Sequence, residues 1–260
     1  MPKLRLAQTN FSAGEFSEQL AARSDVAVYR NGAAALANFR LHYQGGAESR
    51  FGTRYLATLG FSPAKLVPFV FSPDQSYIHA FSNARDDIYD TAGALATSLT
   101  AAPWTTAMLA RLNWAQQGDT MIVVHPDLAM QAIARTGATT FTRAAFAFET
   151  ETISGNTKIK QPYFKFAPIT MTMAPSATTG AGITLTLSAP GAFVTGGSGH
   201  TNTIVRYKQK QILVTAVASA TSATGTVIET LPGTTADVDW DEQVFSTVRG
   251  YANSVVWHGD

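Results

Sequence analysis

The residues best able to do chemistry in this chain fall into two acidic groups and five scattered histidines. Asp237, Asp239 and Asp241 stand at alternate positions in "DVDWDE", the spacing of the first ligands of a calcium loop. Such a loop needs glycine at its sixth position and a bidentate glutamate at its twelfth. Here those positions hold Glu242 and Val248, so the triplet reads as a solvated acidic loop. Asp86, Asp87 and Asp90 read as a turn at a sheet edge rather than as a general acid and base. His42, His79, His125, His200 and His258 have no metal-ligand spacing, and the chain has no cysteine for a thiolate site or a disulfide. No phosphate loop or nucleophile elbow occurs, and "GGSGH" (196–200) lacks the strand-to-helix setting that phosphate binding requires. The sequence therefore predicts no catalytic residue, no metal and no cofactor.

A different chemistry is written near the N-terminus, where Arg40, Arg50 and Arg54 interleave with Tyr43, Phe51 and Tyr55. Guanidinium groups beside aromatic rings suit nucleic-acid backbones and bases, and they are also enriched where proteins meet. With a formal net charge of +1, nothing global draws the chain to nucleic acid, which favours subunit contacts. Lys158, Lys160, Lys165, Arg206, Lys208 and Lys210 form a second, scattered basic set that reads as a solvated face. Charged residues make up only 14% of the chain, against about 25% for ordinary globular domains. A subunit that hides surface against copies of itself explains this, as does a quiet Thr/Ser-rich β-protein.

The elements that must position these residues follow from period and punctuation. Ser12 and Glu15 have capping-box spacing and Phe16 and Leu20 share a face, which predicts a short helix over about residues 13–22. Asp25 can cap a second helix carrying Val26, Tyr29, Ala33, Leu36 and Ala37 on its stripe. The period then changes to two. "ANFRLHYQ" and "RFGTRYLATLG" predict a hairpin about the Gly45-Gly46 pair, and "LVPFVF", "YIHAFS" and "DDIYDT" predict short strands. "APWTTAMLARLNW" predicts a helical turn or two and a strand, and Met121–Val124 a buried strand ended by His125-Pro126. "FTRAAFAFET" adds one more strand. "ITMTMAPSATTGAGITLTL" and "ILVTAVASATSATGTVIET" each read as two alternating runs around a turn.

The fold expected is mainly β with short N-terminal helices, an α+β arrangement. A platform domain spans 1–163, a Thr/Ala-rich small β-barrel or sandwich spans 164–235, and a segment at 236–260 packs back on the first domain. No run approaches the ~18 apolar residues of a membrane helix, and no apolar stretch follows the basic start as in a secretory signal.

Residues 10–57 carry Asn10, Phe11, Gly14, Glu15 and Ser17, then Arg23, Asp25, Tyr29, Asn31 and Gly32, then Gly45, Gly46, Arg50, Gly52, Thr53 and Arg54. This pattern resembles the N-terminus of phage tail nozzle proteins, also called tail tubular protein B, of short-tailed phages. "LVPFVFSPDQSYIHAF", "WAQQGDTMIVVHPD" and "VTAVASATSATGTVIET" followed by Trp240 are similar to later blocks of the same family. In those relatives "VRGYANSVVW" leads into a β-propeller, whereas this chain ends at Asp260 with Ala252 where the family has proline.

The resemblance implies a virion tail protein assembled in the bacterial host cytoplasm. It would form a homohexameric ring, dock on the adaptor ring, contact tail fibres and surround the conduit through which genomic DNA passes. On that reading Arg23, Arg40, Tyr43, Arg50, Phe51, Arg54 and Tyr55 belong to subunit or adaptor contacts, and nothing is catalysed. Two rival classes remain. One is a tail glycan hydrolase with its carboxylates among Asp86, Asp87, Glu149 and Glu151. The other is a receptor- or carbohydrate-binding tail module presenting Trp104, Trp114 or Trp257.

Overall fold

The computed structural model describes residues 7–20, 22–153 and 155–258. The reading of the first residues as lacking a secretory signal rests largely on positions 1–6, which lie outside the described residues, as does Ala21 of the first expected helix. The chain forms two units, Met1–Tyr55 and Leu56–Asp260.

The chain as a whole is mainly β, with 44% strand and 6% helix, and among the described residues of the N-terminal unit the two expected helices are absent. Local capping chemistry is diverted elsewhere. Asn10 Oδ1 accepts the Ser12 N–H (2.9 Å), and Glu15 reaches across the chain to accept the Leu36 N–H (2.9 Å) instead of capping a helix. Gly14 sits at φ +74, a left-handed conformation that stops a helix where its first turn should form. Asp25 is held by Arg23 rather than capping. What forms instead is β1 (Gly14–Glu15) paired in parallel with β2 (Gly32–Ala33), with single 3-10 turns at Glu18–Leu20 and Ala27–Asn31. Phe16 stacks on Tyr29 at 5.4 Å, and a Cβ at position 32 would collide with the Phe16 ring, which explains the glycine there. β3 (Phe39–Leu41) and β4 (Ala47–Ser49) make an antiparallel ribbon. It is shorter than the hairpin expected, since residues 50–59 carry no strand. Among the described residues of this unit only Gly32 and Gly45 are buried.

The second unit opens with two up-and-down antiparallel sheets. β5 (Lys65–Ser72), β6 (Gln75–Ser82), β7 (Arg85–Asp90) and β8 (Leu95–Thr100) form the first. A 3-10 segment, Thr106–Arg111, leads to β9 (Asn113–Gln117), β10 (Thr120–His125), β11 (Leu128–Gly137) and β12 (Thr140–Ala145). Alternation sends Val67, Phe69, Phe81 and Ile88 from one sheet, and Met121, Val123, Ile133 and Phe141 from the other, into one apolar core. Trp104 joins them and anchors its indole N–H on the Ser82 carbonyl (3.1 Å).

Side chains fasten the two sheets at both margins. The Gln116 amide accepts from the Val70 N–H (3.0 Å) and donates to the Val70 carbonyl (2.9 Å), as a neighbouring strand would. At the other margin Arg143 donates to the carbonyls of Thr100 (3.3 Å) and Ala101 (2.9 Å).

The hairpin β13 (Thr150–Ile153) and β14 (Asn156–Ile159) follows, and Gln211 repeats the amide device on Ile159, accepting at 3.0 Å and donating at 2.7 Å. A second core lies under a seven-stranded antiparallel sheet. Its members are β15 (Tyr163–Phe164), β16 (Met173–Pro175), β17 (Ile183–Leu187), β18 (Ile204–Tyr207), β19 (Lys210–Ser219), β20 (Ser222–Val227) and β21 (Trp240–Gln243). They run in the order 15-21-18-19-20-17-16. The barrel considered for this region does not close. The β16 end reaches Asp237 through one isolated bridge, but β15 continues the ladder past β21, so the sheet stays open.

Leu185, Val205, Tyr207, Ile212, Val214 and Trp240 fill this second core, and the Trp240 indole donates to the Met171 carbonyl (2.8 Å). The sheet thus draws strands from both sides of 164–235. A fragment 164–235 lacks β21 and Trp240 and should melt without cooperativity, whereas a fragment 147–258 should unfold in one cooperative transition. Far-ultraviolet circular dichroism during a thermal ramp would separate the two, and a cooperative melt of the short fragment would refute the dependence on β21.

Candidate functional site

The residues singled out near the N-terminus gather on and after the β3–β4 ribbon. Arg40 lies on β3 opposite Glu48 of β4. Tyr43, in the connecting turn, is 97% exposed. Arg50 follows β4 and is steadied by Asn38, whose side chain accepts from its Nε and whose carbonyl accepts from its N–H, each at 2.9 Å. Phe51 and Tyr55 are 78% and 76% exposed, with Arg54, also exposed, between them. Two further members escaped the sequence reading. Phe39 and Leu41 alternate with Arg40 and are 51% and 37% exposed. The signal was present, since positions 39, 41 and 43 are apolar or aromatic at strand period. A two-stranded ribbon is marginal alone, and this one has an apolar face and a charged face, both in solvent.

Arg23 lies apart from the ribbon in sequence, between the two 3-10 turns. It forms a two-point pair with Asp25 (2.8 and 2.7 Å) that draws the Asp25 carboxyl below its ordinary value. Both side chains are mostly exposed, so the pair adds little to stability.

The acidic groups are engaged inside the chain. Asp237 meets Lys208 at 2.8 Å, and Asp241 grips Arg206 with two bonds of 2.8 and 2.5 Å. The reading of Asp86, Asp87 and Asp90 as an edge turn needs correction. Asp86 and Asp87 lie on β7, an inner strand, and only Asp90 serves a turn, accepting the Ala92 and Ala94 N–H groups. Asp86 is fully buried and bonds the equally buried His79 at 2.8 Å, beside the rings of Phe69, Phe81 and Phe141. Neither side chain of that pair is exposed to solvent. Asp87 accepts from Arg85 and Ser98, and Glu149 from Lys160. Trp104 is in the core, Trp114 has Lys65 over its ring at 5.1 Å, and Trp257 is 43% exposed.

A second buried ionic group was missed because its members are far apart in sequence. The Val194 N–H donates to His200 Nδ1 (3.0 Å), which assigns the ring proton to Nε2, and Nε2 donates to Glu242 (2.7 Å). Arg249 completes the set with bonds of 3.1 and 2.7 Å to the two Glu242 oxygens. Among the described residues no group of three His, Cys, Asp or Glu side chains could hold a metal ion, and no helix is long and apolar enough to cross a membrane. The chain matches no protein-family model and no curated protein.

Burial pushes the Asp86 carboxyl above its ordinary value of 3.8, outweighing the downward pull of His79 and Arg143. The folded chain therefore binds this proton more tightly than the unfolded chain. The stability it contributes is full below 3.8 and is lost as pH rises through the raised value. Asp86→Asn cannot titrate, so its stability relative to the native chain should improve as pH rises from below 3.8 toward neutrality. Urea melts across that range would check this, and parallel pH profiles would contradict it. Arg249→Met removes the cationic partner of the nearly buried Glu242, leaving it the His200 Nε2–H, and should cost about 3 kcal/mol. An unchanged denaturation midpoint would mean that His200 alone satisfies the carboxylate.

Proposed function

We propose that this protein is a structural subunit of a virion tail, forming a ring around the DNA conduit and docking on an adaptor ring. The observation that carries the reading is the N-terminal unit. Its described residues bury no apolar side chain, yet Phe39 and Leu41 share one face of its ribbon, Tyr43 stands exposed in the turn, and Phe51 and Tyr55 follow. Burial of apolar surface is what ordinarily stabilises such an element, and here the missing surface is supplied by neighbours.

The low charge content of 14% and the resemblance of residues 10–57 to tail nozzle proteins support the same role. The family pattern adds the homohexamer, tail fibres as further neighbours and DNA as passing cargo; the virion tail is the location, after assembly in the host cytoplasm. No catalysis and no cofactor belong to this role.

Light scattering behind size exclusion, with electron micrographs of the same fractions, tests the reading. The native chain should form closed rings. Tyr43→Ser combined with Phe51→Ser should raise the concentration needed for assembly roughly tenfold or more, since exposed aromatic anchors dominate contact energies. Its melting temperature should hardly move, because neither residue is buried. A native chain that stays monomeric at high concentration would overturn the proposal.

A further inference from the structure

A cleft of about 520 Å³ opens on the second unit where three separated parts of the chain converge. Lys65 begins β5, residues 110–114 run from the end of the 3-10 segment into β9, and Asn253 belongs to the C-terminal segment. That segment is tethered by Tyr251, whose N–H donates to the Pro126 carbonyl (2.7 Å) just beyond β10. The volume lies within the range of about 300–1,000 Å³ usual for small-molecule sites.

The charge of this cleft has one sign. Lys65 Nζ donates to the carbonyls of Leu112 (2.5 Å) and Ala110 (3.4 Å) and stands 5.1 Å from the centre of the Trp114 ring. These contacts fix the ammonium at the wall. Arg111, exposed at the last residue of the 3-10 segment, adds a second cation, and no acidic residue lines the cleft. Burial holds the Lys65 ammonium below its ordinary value of 10.5, and among the described residues no carboxylate pulls it back. Other cations of the unit are answered: Arg206 by Asp241, Lys208 by Asp237 and Arg249 by Glu242. Two cations gathered in a concave site without a counter-charge favour an anion there.

We propose that this cleft binds an acidic sugar, a saccharide ring bearing a carboxylate or a phosphate. Arg111 and Lys65 take the anionic group, since a guanidinium matches either anion with paired N–H donors and an ammonium adds a point charge. The half-buried Trp114 indole offers apolar surface to the C–H groups of a sugar ring. Asn113 and Asn253 carry amides that both donate and accept, which suits hydroxyl groups. A bare inorganic anion leaves most of the volume and the indole unused, and a neutral sugar leaves both cations unanswered. Every lining residue belongs to one chain, so nothing in this site depends on the ring reading.

Calorimetric titration of the full chain at low salt tests this with glucuronate, glucose 6-phosphate, glucose, inorganic phosphate and adenosine 5′-monophosphate. At least one of the two acidic sugars should bind saturably at one site, and the tighter of them identifies the anion as carboxylate or phosphate. Glucose and inorganic phosphate should each bind roughly tenfold more weakly or worse, because each lacks half of the contacts. Phosphate bound as tightly as the better acidic sugar would reduce the cleft to an anion site and overturn the sugar. Glucose bound as tightly would overturn the role of charge, and a tighter nucleotide would assign the ring to a base. No saturable binding of either acidic sugar would overturn the proposal outright. Arg111→Gln should weaken the better acidic sugar roughly tenfold with the melting temperature hardly changed, since the side chain is exposed. Lys65→Met also removes two bonds to carbonyls, so Arg111→Gln is the primary variant. Location is read separately from tryptophan emission, which the acidic sugar should perturb in the native chain and not in Trp114→Phe. Undiminished binding by Arg111→Gln, or a perturbation that survives in Trp114→Phe, would place the ligand elsewhere and overturn the assignment.

Discussion

A strand at the margin of a sheet exposes peptide groups that must find partners, and the architecture of the second unit depends on side chains that supply them. A glutamine amide presents the same donor and acceptor as a peptide, so it can stand in for a missing strand. Gln116 does this for Val70 and Gln211 for Ile159. Arg143 and Lys165 do the acceptor half of the task, donating to carbonyls of Thr100 and Ala101 and of Ile169, Met171 and Val238. These long side chains fasten elements that share no ladder and answer peptide groups at the open margins.

The two cores then differ in how they treat charge. Glu242 is nearly buried but answered on both oxygens by His200 and Arg249. Asp86 is answered on one oxygen, and among the described residues its other oxygen, His79 Nε2 and Arg143 Nε have no hydrogen-bond partner. A carboxylate left partly unanswered in an apolar core costs free energy that the surrounding aromatic packing must offset. The first core is thus held by its rings in spite of its ions, while in the second the ionic group ties β21 and the 194–200 loop together.

Much of the strand pattern was legible in the sequence, because a residue on the core side of a strand announces itself by period two. β5, β6, β7, β10 and the hairpins β16–β17 and β19–β20 were read this way. β8 and β11 were not, since Ala, Thr and Ser blur the contrast between faces in "LATSLT" and "LAMQAIARTG". The N-terminal helices were misread for a physical reason. Ser12 and Glu15 have capping chemistry, but whether it acts locally depends on competitors such as Leu36, twenty-one residues from Glu15. The buried ion pairs were invisible for the same reason. Spacing along the chain cannot reveal that His79 and Asp86 meet diagonally across two strands, or that His200 meets Glu242 forty-two residues away. The ribbon face was half seen: the tyrosine and the arginines were named, and the Phe39 and Leu41 beside them were not.

The strand order of the second unit also sets a timetable for its birth on the ribosome. β5 to β12 pair only with their neighbours in sequence, so each hairpin can close soon after it emerges. The seven-stranded sheet cannot follow that rule. β21 slots between β15 and β18, and Tyr163 waits for Gln243, eighty residues downstream. Until Trp240 has been synthesised, β18 has one flank open and its core has no lid. A nascent chain stalled in that interval holds a finished first half and an unfinished second, and it is there that a chaperone has the most to do.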